Sequence, residues 1–182
     1  VDDTHGWNFS YVDLNNDGYF LDSGESAPDN NLTDVNGHGT RVASVIAQMD
    51  SNAKIMSLKV INKDGKGSIE SLWEAVRYAV DNGANVINIS LITNYSAATT
   101  EIIKYAYEHG VAVIAAAGND NREIGRNDYS PLQNDGDQNY VLGVSATYKD
   151  DTKATFANWG AGVVDLVAPG TLIETVGLNA KA

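Results

Sequence analysis

Val111-Ala112-Val113-Ile114-Ala115-Ala116-Ala117 is apolar at every position. A strand with one face in water alternates; a strand without alternation has no face to spare and is the mark of a strand buried on both faces. Segments of helical and extended period alternate around this run. Ala53–Val60 reads as a strand, Ser68–Asn82 as a helix with Ile69, Leu72, Trp73, Val76 and Ala79/Val80 on one side, and Asn85–Leu91 as a strand. Ala97–Glu108 reads as a helix that stops at His109-Gly110, and Tyr140–Thr147, Ala154–Ala157 and Val163–Val167 are further strand candidates. Strands alternating with helices predict an α/β fold, a mostly parallel sheet with helices on both faces, in three layers. Sites in such sheets form beyond the carboxyl ends of the strands. Asn119 leaves one such end.

Asn36-Gly37-His38-Gly39-Thr40-Arg41-Val42-Ala43 sets a histidine between two glycines, directly ahead of Val42, Val45, Ile46 and Met49 at helical spacing. That pattern predicts His38 at the opening of a buried helix, with the glycines giving another chain room to approach. A histidine in a Gly-rich turn before a helix is the plain alternative. For Asn119 the plain alternative is a strand-exit turn residue. His5 and His109 read as structural; His109, at a helix end, suits the helix dipole.

Charge and composition remove several function classes. The formal net charge is −12 over 182 residues, which opposes binding to nucleic acid or to an anionic membrane. No apolar run has the length of a membrane span. There is no cysteine, hence no disulfide scaffold and no thiol nucleophile. A phosphate loop, a Gly-x-Gly-x-x-Gly and a Gly-x-Ser-x-Gly elbow are also missing. The whole length, 1–182, reads as a single, partial domain with no internal linker, opening on an acidic, turn-rich segment at 1–35. Trp7, Phe9 and Tyr11 alternate there as a short strand. Asp13, Asn15 and Asp17 then stand at relative positions 1, 3 and 5, with Gly18 at 6, followed by Tyr19, Asp22 and Glu25. This is the first half of a calcium loop, whose closing acid falls one residue late at Glu25. The spacing supports a bound Ca²⁺ that offsets the mutual repulsion of these carboxylates. It equally fits an acidic loop built of Asx turns.

Gly37-His38-Gly39-Thr40 followed by Val42-Ala43 resembles the histidine motif of the subtilisin-like serine proteases (subtilases, peptidase S8). Ala115-Ala116-Ala117-Gly118-Asn119 resembles their oxyanion-hole asparagine segment, and Val164–Gly170 the segment shortly before their serine. The order is the family's, and the likeness runs over about residues 5 to 175. It implies a subtilisin-like fold, a serine endopeptidase acting on peptide or protein substrate, secretion, His38 as general base and Asn119 as oxyanion donor. It also implies that substrate adds as a strand between Gly67-Ser68-Ile69 and Ser90-Leu91-Ile92. Ile92 departs from the glycine usual beside the pocket for the residue before the cleaved bond, and a branched side chain narrows that pocket. Ser90-Leu91 also reads simply as the end of a core strand.

Two departures are larger. No aspartate here follows a hydrophobic strand upstream of His38; Asp2, Asp3 and Asp13 lack that context. No Gly-Thr-Ser triplet occurs, since Gly170-Thr171 leads to Leu172. The stretch therefore reads as excised from a longer protease and inactive by itself. The alternative is a non-catalytic, calcium-stabilised module that binds peptide or protein. Arg41 replaces a second histidine common in the family, and Gln48–Ala53 lacks an insertion that often carries calcium. The resemblance further implies a missing strand at the middle of the sheet, between 53–60 and 111–117. A gap there would leave buried backbone groups unpaired at about 1–3 kcal/mol each, so either re-pairing or a homodimer by strand exchange is expected.

Overall fold

The apolar run folds as a strand, Ala112–Ala116, and a strand hydrogen-bonds it on each side. In a computed structural model of the chain, residues 6–10, 28–125, 128–134 and 138–178 are described. The elements in order are β1 (Gly6–Asn8), α1 (His38–Met49), β2 (Ser57–Lys59), α2 (Ile69–Asp81), β3 (Val86–Ile89), β4 (Thr93–Asn94), α3 (Ala97–Glu108), β5 (Ala112–Ala116), β6 (Tyr129–Ser130), β7 (Val141–Thr147) and β8 (Leu166–Pro169). They fall into two compact units, Val1–Ala79 with Glu174–Ala182, and Val80–Ile173.

The second unit holds a parallel sheet in the order β3-β5-β7-β8. Ile89 pairs with Ala115, and Ala115 with Gly143. Val113, Ala115, Val141, Gly143 and Ser145 share a buried face, whereas Ile114, Leu142, Val144 and Ala146 opposite them are only half-buried. The reading of 111–117 as buried on both faces is thus corrected. α3 packs on β5 and seals its own Ile102, Ile103 and Ala106, and the opposite face of the sheet is less completely covered. His109 caps α3, with Nδ1 2.8 Å from the carbonyl oxygen of Tyr105. β4 and β6 form a short antiparallel pair that the sequence pattern did not show, Thr93 opposite Ser130 and Asn94 opposite Tyr129.

Ala154–Ala157 is a turn rather than a strand. The Lys153 ammonium gathers the carbonyls of Ala154 (3.1 Å) and Ala157 (2.9 Å). Carbonyls three apart point to opposite sides of a strand, so one ammonium reaches both only when the backbone curls. The last strand starts late because Val163-Val164 close a turn on Gly160.

In the first unit, β1 and β2 pair in parallel, and Phe9 meets Tyr78 edge-on at 5.6 Å. α1 differs from expectation: none of its residues is buried, and Met49 is 83% exposed. Gln48 Nε2 donates to the Glu174 carbonyl and Val176 N to the Ser44 hydroxyl, so the 174–178 segment runs along α1. It leaves Val42, Val45 and Ile46 half-covered.

The expected place of a missing strand is also corrected. Both sides of β5 are filled, by β3 and β7, so no strand is missing beside it. Nor has re-pairing occurred: among the described residues β2 pairs only with β1, and β3 only with β5. A cost for unpaired backbone groups arises only at a buried edge. Val86 on β3 is 55% exposed, and groups that water can reach do not carry that cost. Asp13, Asn15, Asp17, Tyr19, Asp22 and Glu25 lie outside the described residues, as do Asp2, Asp3 and His5. Among the described residues no three His, Cys, Asp or Glu side chains are placed to hold a metal ion, and no helix is long and apolar enough to cross a membrane.

Candidate active site

β3 and β5 are adjacent and parallel, so the segments leaving their carboxyl ends emerge side by side. One is Ser90-Leu91-Ile92, the other Ala117-Gly118-Asn119, and the structure brings these predicted residues together. Gly118 takes a φ of +93°, which favours glycine. A Cβ there would stand 2.7 Å from Nδ2 of Asn158 and 3.2 Å from Cδ1 of Ile92. Ile92, 38% exposed, therefore lies against the turn that presents Asn119. The Ser90 hydroxyl accepts from Asn88 Nδ2 at 2.9 Å, and Leu91 is half-buried.

Asn119 is exposed, and its turn is held from both sides. Asn158, 0% exposed, donates through Nδ2 to the carbonyl of Ala117 (3.0 Å). Its Oδ1 accepts from the backbone N–H of Asp120 (2.9 Å) and of Arg122 (3.2 Å). Its own N–H reaches the carbonyl of Gly118 at 3.1 Å. Beyond the turn, the Tyr129 hydroxyl donates to Asp120 at 2.6 Å, and Arg122 Nε donates to that hydroxyl at 3.3 Å. The hydrogen bond from Tyr129, then that from Asn158, hold the Asp120 carboxyl below its ordinary pKa. β6 thus ties the arm after β3, through β4, to the turn after β5.

In the first unit His38 is half-buried and is the first residue of α1; its N–H donates to Asn36 Oδ1 at 3.3 Å. The turn before it is organised by Asp34, a residue the sequence reading passed over. Its Oδ1 accepts from the N–H of Asn36 (2.9 Å) and Gly37 (2.7 Å), and its Oδ2 from Thr40 N (2.9 Å) and Oγ1 (2.7 Å). Burial works against the charged carboxyl, but the bonds from Gly37, Thr40 and Asn36 outweigh it and hold the pKa well below the carboxylate range. The signal was present: Asp two and three residues ahead of Asn-Gly is an Asx-turn pattern. Asn158 gave no such signal, because its partners are 36 to 41 residues away.

Asp34→Ala is expected to lower stability by about 1 kcal/mol at pH 7, as the loss of a helix cap does. A depressed carboxyl stabilises above its unfolded pKa of about 4 and loses that contribution as pH falls further. The wild-type advantage in urea midpoint should therefore hold from pH 7 to about 5 and shrink below 4. A gap that stays constant down to pH 2 would exclude this role.

The remaining predicted residues also lie in the first unit. A side chain at Gly67 would collide with the Val60 carbonyl just past β2, so glycine is required there. The Ser68 hydroxyl accepts from Ser71 N at 3.0 Å, capping α2, and Ile69 opens that helix half-buried. Capping accounts for the Ser68 hydroxyl, and its carbonyl accepts from Leu72 N at 3.2 Å.

The model of the Subtilase family matches residues 5–181. This chain belongs to the Subtilase family. It is 36% identical over 158 residues to subtilisin-like protease 5 of Arthroderma otae, covering 81% of this chain and 38% of that protein. To the cell wall-associated protease of Bacillus subtilis it is 38% identical over 157 residues, covering 81% of this chain and 17% of the other. Among solved structures, a cold adapted subtilisin-like serine proteinase superposes with a TM-score of 0.73 at 31% identity, over 82% of this chain and 54% of that one. The subtilase sequence here thus spans about two fifths of the length of the Arthroderma protein. Its α/β fold with a mostly parallel sheet is the fold of the subtilisin-like neighbour.

Proposed function

We propose that this chain is the part of a secreted serine endopeptidase that supplies the general base, His38, and one oxyanion donor, Asn119. The carrying observation is the Asn119 turn at the carboxyl end of β5, held rigidly beside Ser90–Ile92 in a subtilase. In peptide hydrolysis a base takes the proton of the serine hydroxyl, and a donor stabilises the negative charge that develops on the carbonyl oxygen. An exposed carboxamide on a fixed turn suits the second task, because fixed donors need no reorganisation as the charge appears. The aspartate and serine are supplied from outside residues 1–182, so these residues alone are inactive. The test is hydrolysis of a chromogenic peptide by the full-length protein and by residues 1–182. Turnover by the former only is expected; a folded full-length protein without turnover would favour a peptide-binding module instead.

Substrate adds as a strand alongside Ser90-Leu91-Ile92, with Gly67-Ser68-Ile69 as the second contact. Ile92 beside Gly118 restricts the residue before the cleaved bond to small side chains. Ile92→Gly in the full-length enzyme should raise kcat/KM for a large aromatic residue over alanine at that position by about tenfold or more. An unchanged ratio would remove Ile92 from that pocket.

The 13–25 segment binds one Ca²⁺ through Asp13, Asn15, Asp17, Tyr19, Asp22 and Glu25. Titration calorimetry should show one equivalent bound, lost in Asp13→Ala/Asp17→Ala; no heat of binding would remove this site. A homodimer by strand exchange remains a second proposal, supported by the edges of β2 and β3 that no strand among the described residues pairs. A sedimentation mass of one chain would oppose it.

A further inference from the structure

We infer that Asn158 is a positioning residue for the oxyanion donor: it sets the direction of the Asn119 side chain without touching substrate. The inference rests on the endopeptidase reading above. Within the second unit, Asn158 bonds to residues on both sides of Asn119. It donates to the carbonyls of Ala117 and Gly118 before it and accepts from the N–H groups of Asp120 and Arg122 after it. A single side chain that is both donor and acceptor is needed, since the turn presents carbonyls on its near side and N–H groups on its far side. Asn158 is itself fixed. It is 0% exposed, and its carbonyl accepts from the Ser145 hydroxyl at 2.6 Å, on the buried face of β7.

The turn needs support at one backbone position. Gly118 adopts φ +93° freely, but Asn121 at φ +50° lies in the left-handed region, which a residue with a side chain holds only where its surroundings favour it. Asn158 supplies that support, and its Nδ2 lies where any side chain at position 118 would go. Asn119 lies between these fixed points. Losing them lets its carboxamide wander from the position the oxyanion will occupy. Misplacement by about 1 Å is enough to reduce rate by up to about 10²-fold.

A double-mutant cycle in the full-length enzyme separates this role from general destabilisation. Asn158→Ala, Asn119→Ala and the double variant are compared in kcat and KM on one peptide substrate, at a temperature where all are folded. Asn158→Ala should lower kcat by about 10-fold or more with KM nearly unchanged, because a transition-state interaction is weakened. The double variant should be no slower than Asn119→Ala alone. Losses that multiply, or a loss in KM only, would overturn the inference. If Asn158→Ala does not fold, Ser145→Ala, which removes only the bond to the Asn158 carbonyl, takes its place. It should show a smaller kcat loss that again vanishes in the Asn119→Ala background, and its persistence there would count against the inference. If the folded wild-type enzyme lacks peptidase activity, the endopeptidase reading fails by itself. The positioning is then read from amide exchange of residues 117–122 in the full-length protein, which should quicken in the Asn158 or Ser145 variant but not in Asn119→Ala. Equal exchange in all would refute it.

Discussion

His38→Ala in the full-length protein is expected to lower kcat by about 10⁶, the size that loss of this base has in a subtilisin, taken over from that enzyme. The loss should be chemical rather than structural. The turn around His38 is held by Asp34 through its bonds to the backbone of Asn36, Gly37 and Thr40, and these survive removal of the imidazole. α1 buries none of its side chains, so the substitution opens no core cavity and the melting temperature should stay within a few degrees. Without the base, the serine proton has no positioned acceptor. KM should change little, since a general base of the kind proposed for His38 acts on the nucleophile rather than on substrate binding. The check is kcat on a chromogenic peptide with folding monitored by circular dichroism. A folded variant within tenfold of wild type would remove His38 from the chemistry.

Asn119→Ala is the second large effect, a kcat loss of about 10²–10³; this figure too belongs to a subtilisin donor rather than to this geometry. Asn119 is exposed, and the bonds that hold its turn run to its neighbours rather than to its carboxamide. Its truncation should therefore leave stability within about 0.5 kcal/mol. Asn119→Asp is the sharper variant. It keeps the shape but turns an N–H donor into a carboxylate facing a developing oxyanion, so it should lose at least as much kcat as alanine. If alanine and aspartate both remain near wild-type kcat with the protein folded, Asn119 is only the strand-exit residue its surroundings also permit.

The sequence made some of this legible and hid the rest, for physical reasons that differ by residue. Helix α3 was readable to its ends because Ala97–Glu108 carries its own apolar spacing and stops at a glycine. The carboxyl-end placement of Asn119 followed from the order of β5 and the turn alone. The Ala154–Ala157 turn was not readable, since its curl depends on one lysine ammonium gathering two carbonyls. The pairing of β4 with β6 joins residues 37 or 35 positions apart through only two residue pairs, too short for any pattern. Burial of α1 was overestimated, because periodicity reports which side is apolar and not what covers it. Asn158 was invisible for a similar reason: nothing in Ala157-Asn158-Trp159-Gly160 shows that its side chain satisfies a turn around residue 119.

The central claim is that a subtilase containing this chain uses His38 to activate a serine. It is tested most directly by covalent labelling of the folded full-length protein with a fluorophosphonate, which reacts only with an activated serine. The wild type should label stoichiometrically, and His38→Ala should not label on the same timescale. A folded wild type that takes up no probe, or a His38→Ala variant that labels equally fast, would contradict it.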